Sequence, residues 1–327
     1  TEEAVANDKR FAAEILAALP VGGLLIFDLG FFSFLWFDAF TGQQKYFVTR
    51  MREKTAYHTV QVLSPAPADS AHLMGYALQE GEREPAPDSA LVPGPVLVLE
   101  RGQPVRITVV NRLAEPTAVH WHGIELESYP DGVPGWSGEG ERLLPSIPPG
   151  DSLTVHFTPP RAGTFMYHSH FNEMQQTSSG LYGPIVVLDP GVTFDPDMDR
   201  VLVFSDGGPV HGFLDPTRPT LLNGRVDPTA LELRAGETYR FRLINILTES
   251  GIRVELVRGQ QPVEWRAVAK DGANLPPSLA TTGPARLDTM PGEIHDFEFT
   301  PHAPGELVLA FGAGEPQTFT RVAVRIR

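Results

Sequence analysis

The residues after position 90 carry the same sequence pattern twice, and this internal repeat constrains the fold more than any other feature. The segment 96–111, VLVLERGQPVRITVVN, aligns with 230–245, ALELRAGETYRFRLIN, at an offset of 134 residues. A second pair of segments, 148–170 and 290–312, aligns at an offset of 142 residues. Both copies consist of short alternating runs separated by Gly- and Pro-rich turns, which is typical of β-sandwiches. The sequence therefore predicts two copies of one β-sandwich domain.

A change in composition near residue 64 separates the repeat from the segment that precedes it. Residues 1–64 hold only one of the 31 prolines, Pro20. They carry 7 acidic and 6 basic side chains, so nearly all of the net charge of −14 lies after them. We predict a mainly β protein of three parts: a short α/β fragment at 1–64 and two sandwich domains at 65–190 and 191–327.

Residues 1–64 predict a different architecture from the repeat. An apolar strand at 23–27, an aromatic helix at 31–40 and a strand at 46–48 form the α/β fragment. The sequence of this fragment resembles the DDE catalytic domain of IS4-type transposases, in the segments LLIFDLGFFSFLWFDAF and YFVTRMREKTAYHTVQVLS. On that resemblance Asp28 matches one of three metal-binding carboxylates, and the other two have no counterpart. Because the chemistry of such a site needs all three acids, we expect no DNA cleavage.

Composition and charge exclude several classes of function. With no cysteine, the 327 residues cannot form disulfides, thiolate nucleophiles, Cys-type zinc sites or copper–thiolate centres. The net charge of −14 argues against nucleic acid as a partner, because phosphate binding needs a basic face. The apolar run 19–40 contains Asp28 and Asp38, so we expect buried soluble structure there rather than a membrane span. The acidic N-terminal tripeptide TEE lacks the basic region of a secretory signal.

Histidines distinguish the two copies of the repeat. The first copy contains His120 and His122 in the motif VHWHG, and His168 and His170 in the motif YHSH. Because side chains alternate along a strand, each His-x-His pair presents both imidazoles on one face. At the offsets of the repeat the second copy has other residues at all four positions, so the fold itself does not require histidine there. The corresponding residues are Val254, Leu256, Ala310 and Gly312.

These histidines are candidate metal ligands. If their two strands are neighbours, four imidazoles converge without a carboxylate or a thiolate. Imidazole ligation suits copper or zinc, and the affinity order of the divalent metals favours copper. The alternative is a structural histidine cluster that hydrogen bonds satisfy. We expect structural roles for the other six histidines, which are His58, His72, His156, His211, His295 and His302.

The segments TAVHWHGIELESYPDGVPGWSG and GTFMYHSHFNEMQQTSSGLYGPIVVL resemble the first cupredoxin domain of multicopper oxidases, the laccase group. The second copy, with FRLINI, AVAKDGANL and MPGEIHDFEF, resembles the copper-free middle domain of that family. The resemblance covers about residues 70–327 and implies two Greek-key cupredoxin domains. It implies that His120 binds the type 2 copper and that His122, His168 and His170 bind the type 3 pair. It also makes Asp131 the acid that delivers protons during oxygen reduction, although an Asp-Gly pair alone indicates a turn.

The resemblance also has a gap. The trinuclear cluster of the family uses eight histidines, four of them from a third domain with the motifs His-x-x-His-x-His and His-Cys-His-x-x-x-His. Neither motif occurs in the 327 residues, so the resemblance implies half of a trinuclear site and no type 1 copper. The predicted function is a copper-binding, laccase-like oxidoreductase that couples substrate oxidation to the reduction of dioxygen to water and is incomplete by itself. The alternative is a non-catalytic copper or zinc binding module.

The predicted partners follow from this half-site. They are copper ions, dioxygen, and either a second copper-oxidase half or another copy of the chain. Nucleic acid and membrane are not among them. Members of the family are mostly periplasmic or extracellular, whereas the residues themselves leave the compartment and the electron donor open.

Overall fold

The computed structural model describes residues 92–207, 219–314 and 318–327, together with the backbone of three further strands at 24–27, 46–49 and 70–73. The internal contacts divide the chain into two units, residues 1–58 and 59–327. Strands are the main secondary structure of the described residues, which confirms the prediction of a mainly β protein.

The unit 1–58 contributes two described strands, β1 (Leu24–Phe27) and β2 (Tyr46–Thr49). They pair in parallel, with Leu24 opposite Tyr46. Parallel neighbours need a crossover connection, which fits the strand–helix–strand prediction, and both predicted strands are confirmed. The helix predicted at 31–40 and Asp28 lie outside the described residues.

The first repeat builds two sheets that enclose one core. Its helical elements are a 3-10 helix (Tyr129–Asp131) and α1 (Glu173–Ser178). Its strands are β3 (Ser70–Leu73), β4 (Leu97–Glu100), β5 (Val105–Val110), β6 (Val119–His122), β7 (Gly138–Glu139), β8 (Arg142–Leu143), β9 (Ser152–Phe157), β10 (Gly163–Ser169) and β11 (Tyr182–Leu188). One sheet has the order β4-β11-β10-β6 and the other the order β3-β5-β9, while β7 and β8 form a separate pair.

The second repeat forms larger sheets. Its strands are β12 (Asp199–Asp206), β13 (Thr220–Leu222), β14 (Leu231–Leu233), β15 (Tyr239–Asn245), β16 (Ile252–Arg258), β17 (Gln261–Pro262), β18 (Glu264–Lys270), β19 (Ala273–Asn274), β20 (Thr282–Pro284), β21 (Arg286–Thr289), β22 (Ile294–Phe299), β23 (Gly305–Gly312) and β24 (Thr320–Ile326). One sheet has the order β13-β12-β15-β22-β18-β19, with β20 paired to β18. The other has the order β14-β24-β23-β16-β17, with β21 paired to β16.

Strand pairing confirms that the two copies share one topology. In the first repeat β4 runs parallel to β11, and β10 pairs antiparallel with both β11 and β6. In the second repeat β14, β24, β23 and β16 have the same relations in the same order. The domain boundaries at residues 64/65 and 190/191 remain predictions.

Alternation along the strands builds the core of the first repeat. Trp121 on β6 and Phe165 and Tyr167 on β10 point between its two sheets, where they pack with Ile107 of β5 and Phe157 of β9. The neighbouring residues on β6 and β10 therefore point away from this core. The histidines occupy those outward positions.

The strand β10 is buried on both faces, because its second face packs against the second repeat. All seven of its residues are buried. Met166 joins Val203, Ile244 and Ile294 of the second repeat in a shared apolar cluster. The approach is close, since a Cβ at Gly163 would lie 2.2 Å from the carbonyl oxygen of Gly272.

Candidate metal centre

The four predicted ligands lie together on one side of the sheet that contains β6 and β10. These strands are antiparallel neighbours, and their register places His120 directly opposite His168. His122 lies opposite Met166. His170 follows the last residue of β10. The two His-x-His strands are thus neighbours, which is the condition under which the sequence argument has the imidazoles converge.

Three of the imidazoles converge closely. One ring nitrogen from each of His120, His122 and His168 lies within 4.8 Å of the other two. The closest contact joins Nδ1 of His122 to Nε2 of His168 at 3.3 Å. The fourth ring, His170, has its centroid 5.5 Å from that of His120 and 6.0 Å from that of His168. Its side chain is 35% exposed, compared with 6% for His168, so His170 lies at the rim of the cluster.

Backbone carbonyls fix the orientation of two rings. Nδ1 of His120 donates to the carbonyl of Asp131 at 2.8 Å, and Nδ1 of His168 donates to the carbonyl of Ser169 at 2.9 Å. A carbonyl only accepts hydrogen bonds, so in the neutral imidazoles the lone pair lies on Nε2. A hydrogen bond from the nitrogen that faces away from the metal is the usual support of a ligating histidine.

Burial keeps two of these histidines neutral. Burial, helped by the positive charge of a protonated His120, lowers the pKa of His122 to about 4 and that of His168 to about 3. Both imidazoles are therefore uncharged at neutral pH. Neutral imidazole is the form that binds a metal.

Asp131 lies beside the cluster, at the end of the 3-10 helix Tyr129–Asp131. Its Oδ1 is 3.5 Å from Nδ1 of His120. Burial raises the pKa of Asp131, while the charges of His120 and His170 oppose the rise. The following residue, Gly132, has φ of 92°, so the Asp-Gly pair is also a turn. Asp131 therefore lies in a turn and also beside the predicted ligands.

Sequence reasoning missed Glu173, the first residue of α1. Its Oε1 lies 3.6 Å from Nδ1 of His168, and its Oε2 lies 3.8 Å from Nε2 of His170. It follows the second motif by three residues, so its proximity in sequence was the available signal. No periodic pattern marks it, because α1 is only six residues long.

A buried amide, Gln176 of α1, is the second side chain that sequence reasoning missed. Its Oε1 accepts hydrogen bonds from Ser169 at 2.6 Å and from Thr117 at 2.8 Å. Its Nε2 donates to the Glu115 carboxylate and the Pro116 carbonyl, each at 2.9 Å. Because Ser169 separates His168 from His170, Gln176 anchors the backbone between two predicted ligands. A glutamine in a polar run gives no sequence signal of such burial.

The histidines open into a cavity of about 400 Å³ between the two repeats. Met166, Met174 and Thr177 of the first repeat line it together with the four imidazoles and Glu173. The second repeat supplies the remaining wall, which consists of Ile246, Leu247, Thr248, Pro291 and Gly292. A backbone hydrogen bond at Gly292 reaches His122. The second repeat therefore helps to form the cavity.

The register of the second repeat corrects one sequence alignment. There Glu255 pairs with Ala310 across β16 and β23, as His120 pairs with His168 across β6 and β10. The counterpart of His120 is therefore Glu255, and that of His122 is Val257. The constant offset of 134 predicted Val254 and Leu256, which are one residue too early and point into the core like Trp121. The conclusion that the second copy lacks the four histidines is unchanged.

The other histidines take no part in the cluster wherever the structure describes them. His156 lies on β9 and His302 in a turn, both exposed. His295 lies on β22, where burial lowers its pKa. His58 and His211 lie outside the described residues, as does the side chain of His72.

Part of the chain is similar in sequence to known proteins. Residues 89–191 match the sequence model of the multicopper oxidase family. The multicopper oxidase MmcO of Mycobacterium tuberculosis is 29% identical over 206 residues, which cover 50% of this chain and 39% of that protein. Laccase-2 of Fomitopsis schrenkii is 36% identical over 179 residues, which cover 47% of this chain and 32% of that protein.

Solved structures agree with the sequence matches. The multicopper oxidase of Pseudomonas thermotolerans superposes with a TM-score of 0.62 and 26% identity, over 80% of this chain and 64% of that one. The predicted cupredoxin-like fold is confirmed. The chain is thus similar in sequence and fold to multicopper oxidases and laccases. It spans 39% or less of the length of the two relatives above.

The comparisons give no support to the transposase resemblance of residues 1–64, since the family match begins at residue 89. That expectation is not carried further. No helix in the described part of the chain has the length and the apolar character that crossing a bilayer requires.

Proposed function

We propose that this chain is a copper-binding oxidoreductase of the multicopper oxidase type, with its copper ligands at His120, His122, His168 and His170. One observation carries the proposal: three imidazole nitrogens lie within 4.8 Å of one another in the described residues, with no carboxylate or thiolate in the group. That donor set fits copper. The nearby carboxylates of Asp131 and Glu173 contact the rings from outside this group.

Each ligand has a proposed place. His120 would bind the type 2 copper, and His122, His168 and His170 the type 3 pair. Bound copper would supply one-electron oxidation of a substrate coupled to the reduction of dioxygen to water. The chain itself would orient the rings through the Asp131 and Ser169 carbonyls. Asp131, whose burial favours its protonated form, would hold a proton beside Nδ1 of His120.

We further propose that these four histidines are half of a trinuclear site. The other four ligands would come from another domain or from another chain, because the third-domain motifs do not occur in residues 1–327. The alternative function is a copper or zinc binding module without catalysis. The absence of cysteine from the 327 residues favours it for this chain acting alone. Oxidation of a phenolic substrate by purified, copper-loaded protein separates the two.

The test of copper binding is a double substitution, His120→Ala with His168→Ala. We expect the unchanged chain to retain copper after gel filtration and the double variant to lose it. The matched control is His156→Ala with His302→Ala, which removes two exposed histidines outside the cluster and keeps copper. Metal content per chain and a visible spectrum are measured on the same samples, with circular dichroism to verify the β fold. Unchanged copper stoichiometry in the cluster variant would refute the assignment.

A further inference from the structure

The cavity between the repeats contains sulfur as well as imidazole. Met166 and Met174 both line it, together with the four histidines. Met166 is 1% exposed, and its register position on β10 is opposite His122. Met174 is 38% exposed and lines the same cavity.

The first turn of α1 brings Met174 to the histidines. The preceding residue, Glu173, has carboxylate oxygens 3.6 Å from His168 and 3.8 Å from His170. His170 is the most exposed ligand, at 35% of its side chain, while the ring of His168 lies deeper. Exposure to solvent thus decreases from the carboxylate of Glu173 and the side chain of Met174, through the imidazole of His170, to the buried imidazole of His168.

This order of donors has a chemical preference. Thioethers are soft ligands that select Cu(I), whereas imidazoles accept both Cu(I) and Cu(II). A carboxylate at the mouth attracts any cation. We propose that Met174, together with Glu173, is a loading site that captures Cu(I) at the mouth of the cavity and passes it to the four histidines. The proposal rests on the proposed copper function of the same cavity.

The test is an anaerobic stopped-flow measurement of the rate at which the full chain takes Cu(I) from a chromophoric Cu(I) chelator. The variant Met174→Leu keeps the size of the side chain and removes the sulfur. We expect its rate of Cu(I) uptake to fall by about tenfold, while its rate of Cu(II) uptake and its final copper content stay unchanged. Met290→Leu is the matched control, because Met290 is 59% exposed and lines a different cavity.

X-ray absorption of the His120→Ala/His168→Ala variant with Cu(I), from which captured copper cannot be passed on, gives an independent measurement. Sulfur scattering from that variant that disappears when Met174→Leu is added supports the loading site. Equal rates of Cu(I) uptake in the unchanged chain and in Met174→Leu, without sulfur scattering, overturn it and leave the copper function standing. If the unchanged chain takes up neither Cu(I) nor Cu(II), the proposed function itself fails.

Discussion

At the scale of single residues, the main feature of the site is the cost of protonating buried imidazoles. His168 is 5% exposed, and its strand is enclosed by both repeats. Charge on its ring would be unfavourable there, because desolvation penalises the ionised form. The same burial acts on His122. Both rings are therefore held in the form that binds metal before any metal arrives.

This predicts an acid-sensitive stability in metal-free protein. Below pH 6.5 the unfolded chain protonates His122 and His168, while the folded chain does not until pH approaches 4 and 3. The unfolded state then binds more protons, so the free energy of unfolding falls as pH falls. We expect a loss of roughly 2 kcal/mol per histidine between pH 7 and pH 5.

Urea unfolding of chelator-treated protein at these pH values measures the effect. His168→Gln, which has no titrating group, should show a flatter dependence on pH than the unchanged chain. The control His302→Gln alters an exposed turn residue and should keep the full dependence. Identical slopes in the two variants would contradict the prediction.

At the scale of elements, the turn after the 3-10 helix closes on the edge of β6. Among the strands that the structure describes, β6 pairs only with β10. Gly132 packs against its other edge so closely that a Cβ would lie 1.7 Å from the carbonyl oxygen of Val119. With φ of 92°, this position needs glycine for its backbone as well. The contact holds the carbonyl of Asp131 where His120 donates to it.

We therefore expect Gly132→Ala to lower the free energy of unfolding by more than backbone strain at a positive φ would lower it. The matched control is Gly135→Ala, in the same loop, where φ is 74° but a Cβ meets nothing within 4 Å. We expect about 1 kcal/mol of destabilisation for Gly135→Ala and roughly 3 kcal/mol for Gly132→Ala. Only Gly132→Ala should also weaken copper binding. Chemical unfolding and copper titration measure both effects, and equal losses in the two variants would argue against the role of the turn.

Much at this scale was predictable from sequence, and the reasons differ between features. The sequence predicted that the histidines of each motif share one face, because side chains alternate between the two faces of a strand in any fold. The pairing of these two strands was only a condition of the sequence argument, because alternation within a strand does not say which strand lies beside it. The counterpart of His120 was wrong by one residue, because a fixed offset cannot detect a change in loop length. Gln176 was missed because its burial depends on contacts between distant segments.

At the scale of the molecule, a buried ionic network joins the two repeats. Asp296 of β22 accepts from Thr164 of β10 at 2.8 Å and from Arg240 at 2.7 and 2.9 Å. Arg242 donates to Asp296 at 3.2 Å and also pairs with Asp199. Thr164 and Asp296 are at most 1% exposed. Because Thr164 and His168 lie on the same strand, this network also fixes the strand that carries the ligands.

Asp296→Asn retains the shape of the side chain and removes the charge opposite the two arginines. We expect a loss of roughly 3 kcal/mol in the free energy of unfolding, because breaking a buried ion pair leaves an uncompensated charge. Glu298→Gln, two residues along β22, is the control. Its carboxylate pairs with Arg266, whose side chain is 46% exposed. We therefore expect Glu298→Gln to lower the free energy of unfolding by less than about 1 kcal/mol. Denaturant midpoints of the two variants test this, and similar midpoints would rule out a special role for the interface.

The double burial of β10 has an evolutionary consequence. Phe165 and Tyr167 fill one sandwich, Met166 packs against the other repeat, and His168 faces the candidate metal centre, all within seven residues. A mutation in this strand is therefore exposed to selection for folding, for domain association and for metal chemistry at once. Lineages that lost the chemistry would still be held to nearly the same residues by the first two pressures. The histidine positions are then the ones at which a loss of function would leave its first trace.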